Sequence, residues 1–301
     1  DLYNKNTSDL LYYAPLPNIS GYTGQYKNVG AINNKGLEIS LNADVIRTSK
    51  FQWTSDFNIG FNRNRVTELY GGKPELKGLK RLEEGRDMDE WYLREWAGVD
   101  PANGSPLWYT TDENGKRTTT DSYNKADRVY CGSAAPKFTG GWMNSFSYKG
   151  FTLTANFDFV YGNLLYNQSR ELLDSDGAYA DYNSMKLKSG WKRWEKEGDI
   201  ATHPKAINGG NKNSNKSSSR YLEKGNYFSL RNLSLGYSIP EKLCGKLGLQ
   251  RVNVSCSADN LFTLTPFSGV SPQLSDSSTD GYAGTIYPLS RRIVFGLNVS
   301  F

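Results

Sequence analysis

The 301-residue chain is poor in the residues that build most metal and catalytic centres, with one histidine, three cysteines and three methionines. The single histidine, His203, cannot form a histidine-based metal site, and no serine–histidine–aspartate arrangement is evident around it. Cys131, Cys244 and Cys256 are odd in number and widely spaced, which argues against a disulfide framework or a zinc site. We therefore interpret His203 as a loop residue and expect no catalytic residue, metal ion or cofactor.

The sequence also lacks a long hydrophobic run. Without about 18 consecutive apolar residues a transmembrane helix is excluded, and the first residues do not have the pattern of a signal peptide. The net charge is +5, but Lys and Arg are scattered among acidic residues, so we predict no nucleic-acid-binding surface. Aromatic residues at 13% and 30 glycines are instead typical of a β-rich protein with many turns.

Apolar and polar residues alternate along much of the chain, which predicts strands with one apolar and one polar face. The last segment is the clearest example, because every second residue from Ile293 to Phe301 is apolar. Outer-membrane β-barrels often end in this way, since the final strand closes the barrel and its terminal aromatic residue lies at the membrane interface. We therefore predict that Phe301 is a barrel-closing residue.

The alternation predicts ten strands, several of them at least ten residues long. Membrane strands need about 9–11 residues, whereas strands of globular proteins average about five or six. The predicted strands are 2–13, 35–46, 51–66, 90–98, 105–111, 137–148, 151–161, 226–239, 250–261 and 289–301.

The predicted connections alternate between long and short. Outer-membrane barrels have short periplasmic turns and long extracellular loops, so the pattern predicts an all-β, transmembrane antiparallel β-barrel with its long loops outside the cell. The long connections are 14–34, 67–89, 112–136, 162–225 and 262–288, and the short ones are 47–50, 99–104, 149–150 and 240–249.

The longest connection, 162–225, carries two further patterns. Residues 182–197 predict a short amphipathic helix interrupted near Gly190, and the Asn-, Gly- and Ser-rich stretch 208–220 predicts a mobile segment. Trp191 and Trp194 are candidates for stacking on a sugar ring, although packing of this loop onto its neighbours or a partner protein is the interpretation we favour. Tyr282 and Tyr287 are further candidates for contacts with a ligand or partner.

Short segments along nearly the whole chain, weak alone but in a specific order, resemble the SusC/RagA-like TonB-linked outer-membrane transporters of the Bacteroidetes. They are Asp-Leu-Leu at 9–11, Asn-Val-Gly at 28–30, Asn-Lys-Gly-Leu-Glu at 34–38, Asn-Ile-Gly-Phe-Asn-Arg-Asn-Arg-Val at 58–66, Ala-Gly-Val-Asp-Pro at 97–101, Ala-Pro-Lys-Phe-Thr-Gly-Gly at 135–141, Phe-Ser-Leu-Arg-Asn-Leu-Ser-Leu-Gly-Tyr at 228–237, Asp-Asn-Leu-Phe at 259–262 and Tyr-Pro-Leu-Ser-Arg at 287–291.

The resemblance implies a barrel of about 22 strands with a plug domain in its lumen, of which residues 1–301 would form the C-terminal portion without the N-terminal plug. Many members carry an acidic Asp-x-Asn-x-Asp-Gly stretch before the Pro-Lys-Phe strand. Residues 119–127 depart from it, so we do not infer a Ca²⁺ site there.

The implied function is active import of a nutrient, either a glycan or oligosaccharide or a peptide, across the cell outer membrane, where the protein would be multi-pass. The implied partners are a SusD-like lipoprotein, TonB through the absent N-terminal part, the plug and barrel segment of the same transporter, and outer-membrane lipid.

Two alternatives remain open at the level of sequence. One is a complete small outer-membrane barrel of about ten strands that acts as a porin or a surface enzyme, since even strand numbers permit this. The other is a soluble β-rich carbohydrate-binding module. The lone histidine disfavours the enzyme, and the alternating loop lengths disfavour the module.

Overall fold

The computed structural model describes residues 1–16, 18–179, 181–182, 186–246, 248–274, 281–284 and 286–301. Two short helices, α1 (Ser169–Leu173) and α2 (Glu241–Lys246), accompany the strands, and no helix in these ranges is long and apolar enough to cross a membrane. The strands are, in chain order, β1 (Leu2–Thr7), β2 (Leu11–Pro15), β3 (Gly24–Asn28), β4 (Ala31–Arg47), β5 (Phe51–Glu68), β6 (Glu75–Lys77), β7 (Lys80–Leu82), β8 (Glu90–Arg94), β9 (Trp96–Val99), β10 (Pro106–Thr111), β11 (Arg117–Thr120), β12 (Arg128–Ser133), β13 (Phe138–Tyr148), β14 (Phe151–Tyr161), β15 (Leu164–Asn167), β16 (Leu222–Lys224), β17 (Tyr227–Ser238), β18 (Arg251–Leu264), β19 (Tyr282–Ala283) and β20 (Arg292–Ser300).

Eight of these strands form one antiparallel sheet, in the order β1-β4-β5-β13-β14-β17-β18-β20, which we call the wall. The order follows the chain, so each strand lies beside the next strand of the wall. Leu41 of β4 pairs with Phe57, Phe57 with Trp142, and Trp142 with Phe157. Because side chains alternate between the faces of a strand, this register gathers the predicted apolar positions on one face of the wall.

The connections between wall strands differ in length at the two ends of the sheet. Residues 48–50, 149–150 and 239–250 connect strands at one end, and residues 8–30, 69–137, 162–226 and 265–291 connect them at the other. The predicted alternation of short and long connections is therefore present in the structure.

The wall has eight strands rather than the ten expected from the sequence. Segments 90–98 and 105–111 are strands, but they belong to two small separate sheets, β12-β8-β7-β6 and β11-β10-β9. Their side chains are buried on packing faces, with Trp91 and Trp108 both 0% exposed, so their aromatic residues serve a local core instead of a membrane face. Because these two predicted strands are neighbours along the chain, their absence from the wall does not change the end of the sheet at which the long connections lie.

The first predicted strand, 2–13, is also divided. Wall strand β1 ends at Thr7, and Asp9 has a left-handed backbone with φ of 53°. The chain therefore turns there, and β2 pairs with β3 in a separate hairpin. The other predicted wall strands are present, with ends shifted by a few residues.

The buried aromatic core lies outside the wall. It is built from the described residues of the three longest connections, 69–137, 162–226 and 265–291, which we call the loop assembly. Trp91, Tyr166 and Tyr221 are at most 1% exposed, whereas Leu41, Leu297 and Phe295 on the apolar face of the wall are 60%, 69% and 80% exposed.

The amphipathic helix predicted over 182–197 is wrong for the described part of that segment, which is extended or turned; Met185 lies outside the described residues. Gly190 has φ of +84°, and the Trp194 backbone N–H donates to the His203 carbonyl at 2.9 Å. Trp191 and Trp194 face different neighbours, so the segment lacks the single apolar face that a helix needs.

The prediction of a mobile stretch at 208–220 is also wrong. Asn211, Ser214 and Ser218 are at most 2% exposed, and Asn211 Nδ2 donates to the carbonyls of Gly104 at 3.1 Å and Lys205 at 2.9 Å. Short polar side chains satisfy buried backbone groups here, a role that composition alone does not reveal.

Candidate functional site

The apolar face of the wall is bounded by rows of aromatic residues. Near the short turns, the rings of Phe151 and Tyr237 lie 4.3 Å apart. Toward the long connections, Phe138 lies 5.7 Å from Phe61 and 5.0 Å from Tyr161. Phe61 stands ten positions after Phe51 on β5, which is about 33 Å of strand, or about 25 Å of height at a tilt of about 40°, the height of the apolar band of an outer-membrane barrel.

The other face of the wall is polar and internally hydrogen-bonded. Asn232 Nδ2 donates to Asp259 Oδ1 at 2.7 Å, and Arg292 Nη2 donates to Asp259 Oδ2 at 2.7 Å. On the neighbouring strands, Tyr227 donates its hydroxyl to Asp158 Oδ2 at 3.1 Å. A sheet with one lipid-compatible face and one polar face suits a barrel with a polar lumen.

The core of the loop assembly joins all three of its connections. Trp91 from the first donates its indole N–H to the Leu164 carbonyl of the second at 3.0 Å. Its ring packs at 5.8 Å from Tyr166 and edge-on at 5.1 Å from Tyr282 of the third connection. Aromatic pairs of this geometry add to the gain from burial, so the three connections form one packed unit.

A buried ionic centre organises the connection 162–226. Asp176 Oδ1 accepts from Arg193 Nη1 at 2.7 Å, and Asp176 Oδ2 accepts from Arg220 Nη1 at 2.5 Å. Asp174 Oδ2 accepts from Arg170 Nη2 at 3.0 Å and from His203 Nε2 at 2.8 Å. Each carboxylate faces more than one donor, which a buried charge requires.

The surroundings of Asp174 set its charge state. Burial raises the pKa of this carboxyl, but the hydrogen bond from His203 and the charges of Arg220 and Arg170 outweigh burial and hold the pKa well below its usual range. Asp174 is therefore ionised at neutral pH. His203, expected to be a loop residue, does lie in a loop, but it is 1% exposed and serves this centre.

Trp194 anchors the same connection on the turn 100–104. Its indole N–H donates to the Pro101 carbonyl at 3.0 Å. Gly104 has φ of +75°, and a Cβ atom built on it would lie 2.5 Å from the Trp194 ring. The ring therefore needs glycine at position 104, both for its backbone conformation and for the close approach.

The structure separates the four aromatic residues predicted to contact a ligand or partner. Trp194 is 8% exposed, with Lys205 Nζ 5.7 Å from its ring centroid, and Trp191 packs at 5.0 Å from His203 and 4.5 Å from the Arg170 guanidinium. Tyr282 packs on Trp91, and its hydroxyl accepts from the Leu79 N–H at 3.2 Å. Tyr287 is 88% exposed and remains a candidate contact. Phe301 is 89% exposed, just past the end of β20.

Sequence reasoning missed the ionic centre itself. Asp174, Asp176 and Arg220 stand in polar stretches without periodicity, so no local pattern marks them. The members of the centre are spread along the chain from Arg170 to Arg220, so the only signal for them is the tertiary contact that brings these two residues together.

A cleft of about 1130 Å³ opens where strands β1, β4 and β5 meet the loop assembly. Its lining includes Tyr3, Asn62, Asp87, Glu90 and Lys137. Burial raises the pKa of Asp87, and the negative charges of nearby Asp89 and Glu90 raise it further. The hydrogen bond from the Asp89 backbone N–H lowers this pKa but offsets the increase only in part. The cleft therefore offers aromatic, amide and charged groups together, a surface that suits a polar solute or a polar protein segment.

Comparisons with known proteins agree with this architecture. Over its full length the chain is 30% identical to TonB-dependent receptor P3 of Formosa agariphila, and it covers 32% of that protein. It is 30% identical to TonB-dependent receptor P39 of the same organism, covering 33% of it, and 23% identical to TonB-dependent receptor SusC of Bacteroides thetaiotaomicron, covering 30% of it. The chain thus spans about a third of the length of these curated relatives. No protein-family model matches it.

Solved structures give the same result. The chain aligns over 100% of its length with 33% of a chain in the structure of the RagAB peptide transporter, with a TM-score of 0.86 and 28% identity. Against the RagAB peptide importer in the closed-closed state the TM-score is 0.84 at 29% identity, again over 33% of that chain. The homologues of this chain are therefore TonB-dependent receptors, and its fold is that of part of the barrel of a SusC/RagA-like TonB-linked outer-membrane transporter.

Proposed function

We propose that this chain is the C-terminal wall segment and extracellular loop assembly of a transporter that imports a nutrient across the outer membrane. A SusD-like lipoprotein would deliver the nutrient and TonB would supply energy through a segment outside residues 1–301. The observation that carries the proposal is the wall, in which one face is apolar and exposed over the seven wall strands from β4 to β20 while the opposite face is polar. Lipid is the solvent that suits the first face, and a polar lumen suits the second.

The two ends of the wall support the proposed orientation. Short connections and the end of β20 lie together at one end, where periplasmic turns are found in this class of barrel. The long connections at the other end would face the cell exterior and meet the solute first. Their packed core makes them a defined surface rather than a set of mobile loops.

The two edges of the sheet argue against a complete small barrel. Strands β1 and β20 lie at opposite ends of the strand order and do not pair with each other in the described residues. Open strand edges are unsatisfied in lipid, so in the assembled protein they would pair with further strands of the same transporter. A soluble module is disfavoured because residues such as Phe295 would present their side chains to water.

The proposed lipoprotein contact is assigned to the outer surface of the loop assembly. Ile200 is 85% and Tyr287 88% exposed, and both belong to long connections. We expect a double substitution, Ile200→Asp with Tyr287→Ser, to weaken capture of the lipoprotein by the tagged full-length receptor, with barrel assembly unchanged. Lys186→Asp with Lys216→Ser, at two other exposed positions of the assembly, is the matched control. Equal capture by both variants would remove this surface from the proposal.

Transport itself is tested in cells that depend on the full-length receptor. Uptake of a fluorescent oligopeptide mixture and of an oligosaccharide mixture is measured with and without a functional TonB system. Energy-dependent uptake of one mixture supports import and assigns the substrate class. Uptake that is the same without TonB would contradict energised transport and favour a passive pore.

A further inference from the structure

Three cationic side chains lie side by side on the apolar face of the wall, just beyond its last apolar residues. The register pairs Leu37 with Phe61, then Lys35 with Arg63, then Asn33 with Arg65, without a register shift between these pairs. All six side chains therefore project from the same face of the sheet. Lys35, Arg63 and Arg65 are exposed and lie toward the long connections, beyond the aromatic row of Phe61.

None of the three cations forms an ion pair with a carboxylate in the described ranges of the chain. Lys35 and Arg63 are direct cross-strand neighbours, and like charges in that position destabilise a sheet. Arg65 is the diagonal neighbour of Lys35, which adds a third positive charge. An anion held between them would turn this repulsion into attraction.

Amide groups complete the surface. Asn4 of β1 pairs with Lys35, and Asn6 pairs with Asn33. Asn33 Nδ2 donates to Asn4 Oδ1 at 2.6 Å, which fixes the amides beside the cations. Guanidinium groups match the geometry of phosphate oxygens and bind them bidentately.

We propose that Lys35, Arg63 and Arg65 bind the phosphate group of a lipid headgroup in the leaflet at the long-connection end of the barrel. The inference rests on the proposed membrane placement of the wall. The site lies one residue pair beyond the last apolar row, so a lipid whose acyl chains cover Leu37 and Phe61 places its phosphate at the cations. A free phosphate ion would gain the charge interaction without that apolar contact.

The test uses the full-length receptor, purified in detergent and titrated with bis-phosphorylated lipid A while bound lipid is counted by native mass spectrometry. The variant with Lys35→Gln, Arg63→Gln and Arg65→Gln should bind on the order of a hundredfold more weakly, since each cation near an anionic surface contributes roughly a fivefold change in affinity. Lys186→Gln, Lys196→Gln and Lys216→Gln remove the same charge from the loop assembly and should leave binding unchanged. Equal binding by the wild type and the first variant overturns the proposal.

Two further arms identify the source of the phosphate. Dephosphorylated lipid A should bind as weakly to the wild type as phosphorylated lipid A binds to the triple variant. Inorganic phosphate at equal concentration should not displace the lipid, and displacement would reject a lipid site in favour of a free anion site.

A single substitution tests the repulsion directly. Lys35→Glu places a carboxylate opposite Arg63, so it should raise the unfolding temperature of the lipid-free receptor while it weakens lipid binding. A lower unfolding temperature together with undiminished binding would contradict the inference. Insertion into the outer membrane is scored separately, because a receptor that inserts but does not select phosphorylated lipid refutes only the lipid site, whereas failure of the wild type to insert refutes the proposed function.

Discussion

The wall and the loop assembly bury opposite kinds of residues. In the wall, Phe295 is 80% exposed and Leu297 69% exposed, and the polar residues bond to one another on the other face. In the loop assembly, Trp91 and Tyr221 are fully buried and charged residues lie at the centre. The difference fits the proposed placement of the chain, with lipid around the wall and water around the loops.

The two regions consequently depend on different stabilising interactions. The wall is held by ladder hydrogen bonds between adjacent strands, and its apolar side chains stabilise it only where lipid or detergent covers them. The loop assembly carries its own core and resembles a small globular unit that rests on the membrane part. Substitutions should therefore damage one region without an equal effect on the other.

The largest effect should follow removal of a buried charge from the loop assembly. Arg220→Ala removes the guanidinium that bonds Asp176 at 2.5 Å and lies 3.5 Å from Asp174, and loss of one member of a buried ion pair costs about 3–5 kcal/mol. We expect the amides of 162–226 to lose protection against hydrogen exchange while the wall strands retain theirs.

Lys212→Ala is the control for that variant. It removes an ion pair with Asp121 whose side chains are 47% and 50% exposed, and exposed pairs contribute at most about 1 kcal/mol. If Lys212→Ala lowers the hydrogen-exchange protection of residues 162–226 as much as Arg220→Ala does, the ionic centre is not what orders this connection.

The wall should respond most to a charge on its apolar face. Phe157→Arg or Leu297→Arg places a cation toward lipid, which costs about 2–4 kcal/mol near the bilayer midplane, so barrel assembly measured by heat-modifiable gel mobility should fall. Thr154→Arg lies on the polar face beside Ser145 and should be tolerated better. Equal yields of assembled barrel for all three variants would show that the apolar face does not meet lipid.

A smaller effect is expected at the contact between Trp194 and the turn 100–104. In Gly104→Ala the alanine must adopt a left-handed backbone, and its Cβ atom would lie 2.5 Å from the Trp194 ring. In Gly115→Ala the alanine must adopt a similar backbone, with φ of +77°, but its Cβ atom would meet nothing within 4 Å. The first variant should therefore be less stable than the second by about 1–3 kcal/mol, the usual cost of overpacking. Thermal unfolding followed by Trp fluorescence measures the difference, and identical curves would contradict the packing.

The smallest effect concerns the charge of Asp174, and it should appear only when the pH falls into the acidic range. Its folded pKa lies below its ordinary value of about 3.9, so its contribution to stability is fully present above that value and is lost as the pH falls through the folded pKa. Hydrogen exchange of 162–226 should therefore increase between about pH 4 and pH 2. Asp174→Asn should remove this pH dependence, and an unchanged profile would assign it to another group.

The sequence was sufficient for most strands of the wall because period-two alternation reports directly which face of a strand meets an apolar environment. Residues 51–61 and 151–159 required no knowledge of their neighbours to be placed. The alternation of short and long connections likewise ordered the ends of the barrel, and short motifs such as that at 58–66 supported the family resemblance.

Tertiary structure alone decided which strands leave the wall and what the connections contain. Residues 90–94 alternate as a wall strand does, yet Trp91 is buried against Tyr166 and Tyr282 from segments far along the chain. Residues 208–220 look disordered by composition, yet Arg220 finds Asp176 across 44 positions. Alternation is a local property that a strand carries by itself, whereas a buried ion pair or an aromatic core exists only when distant segments meet.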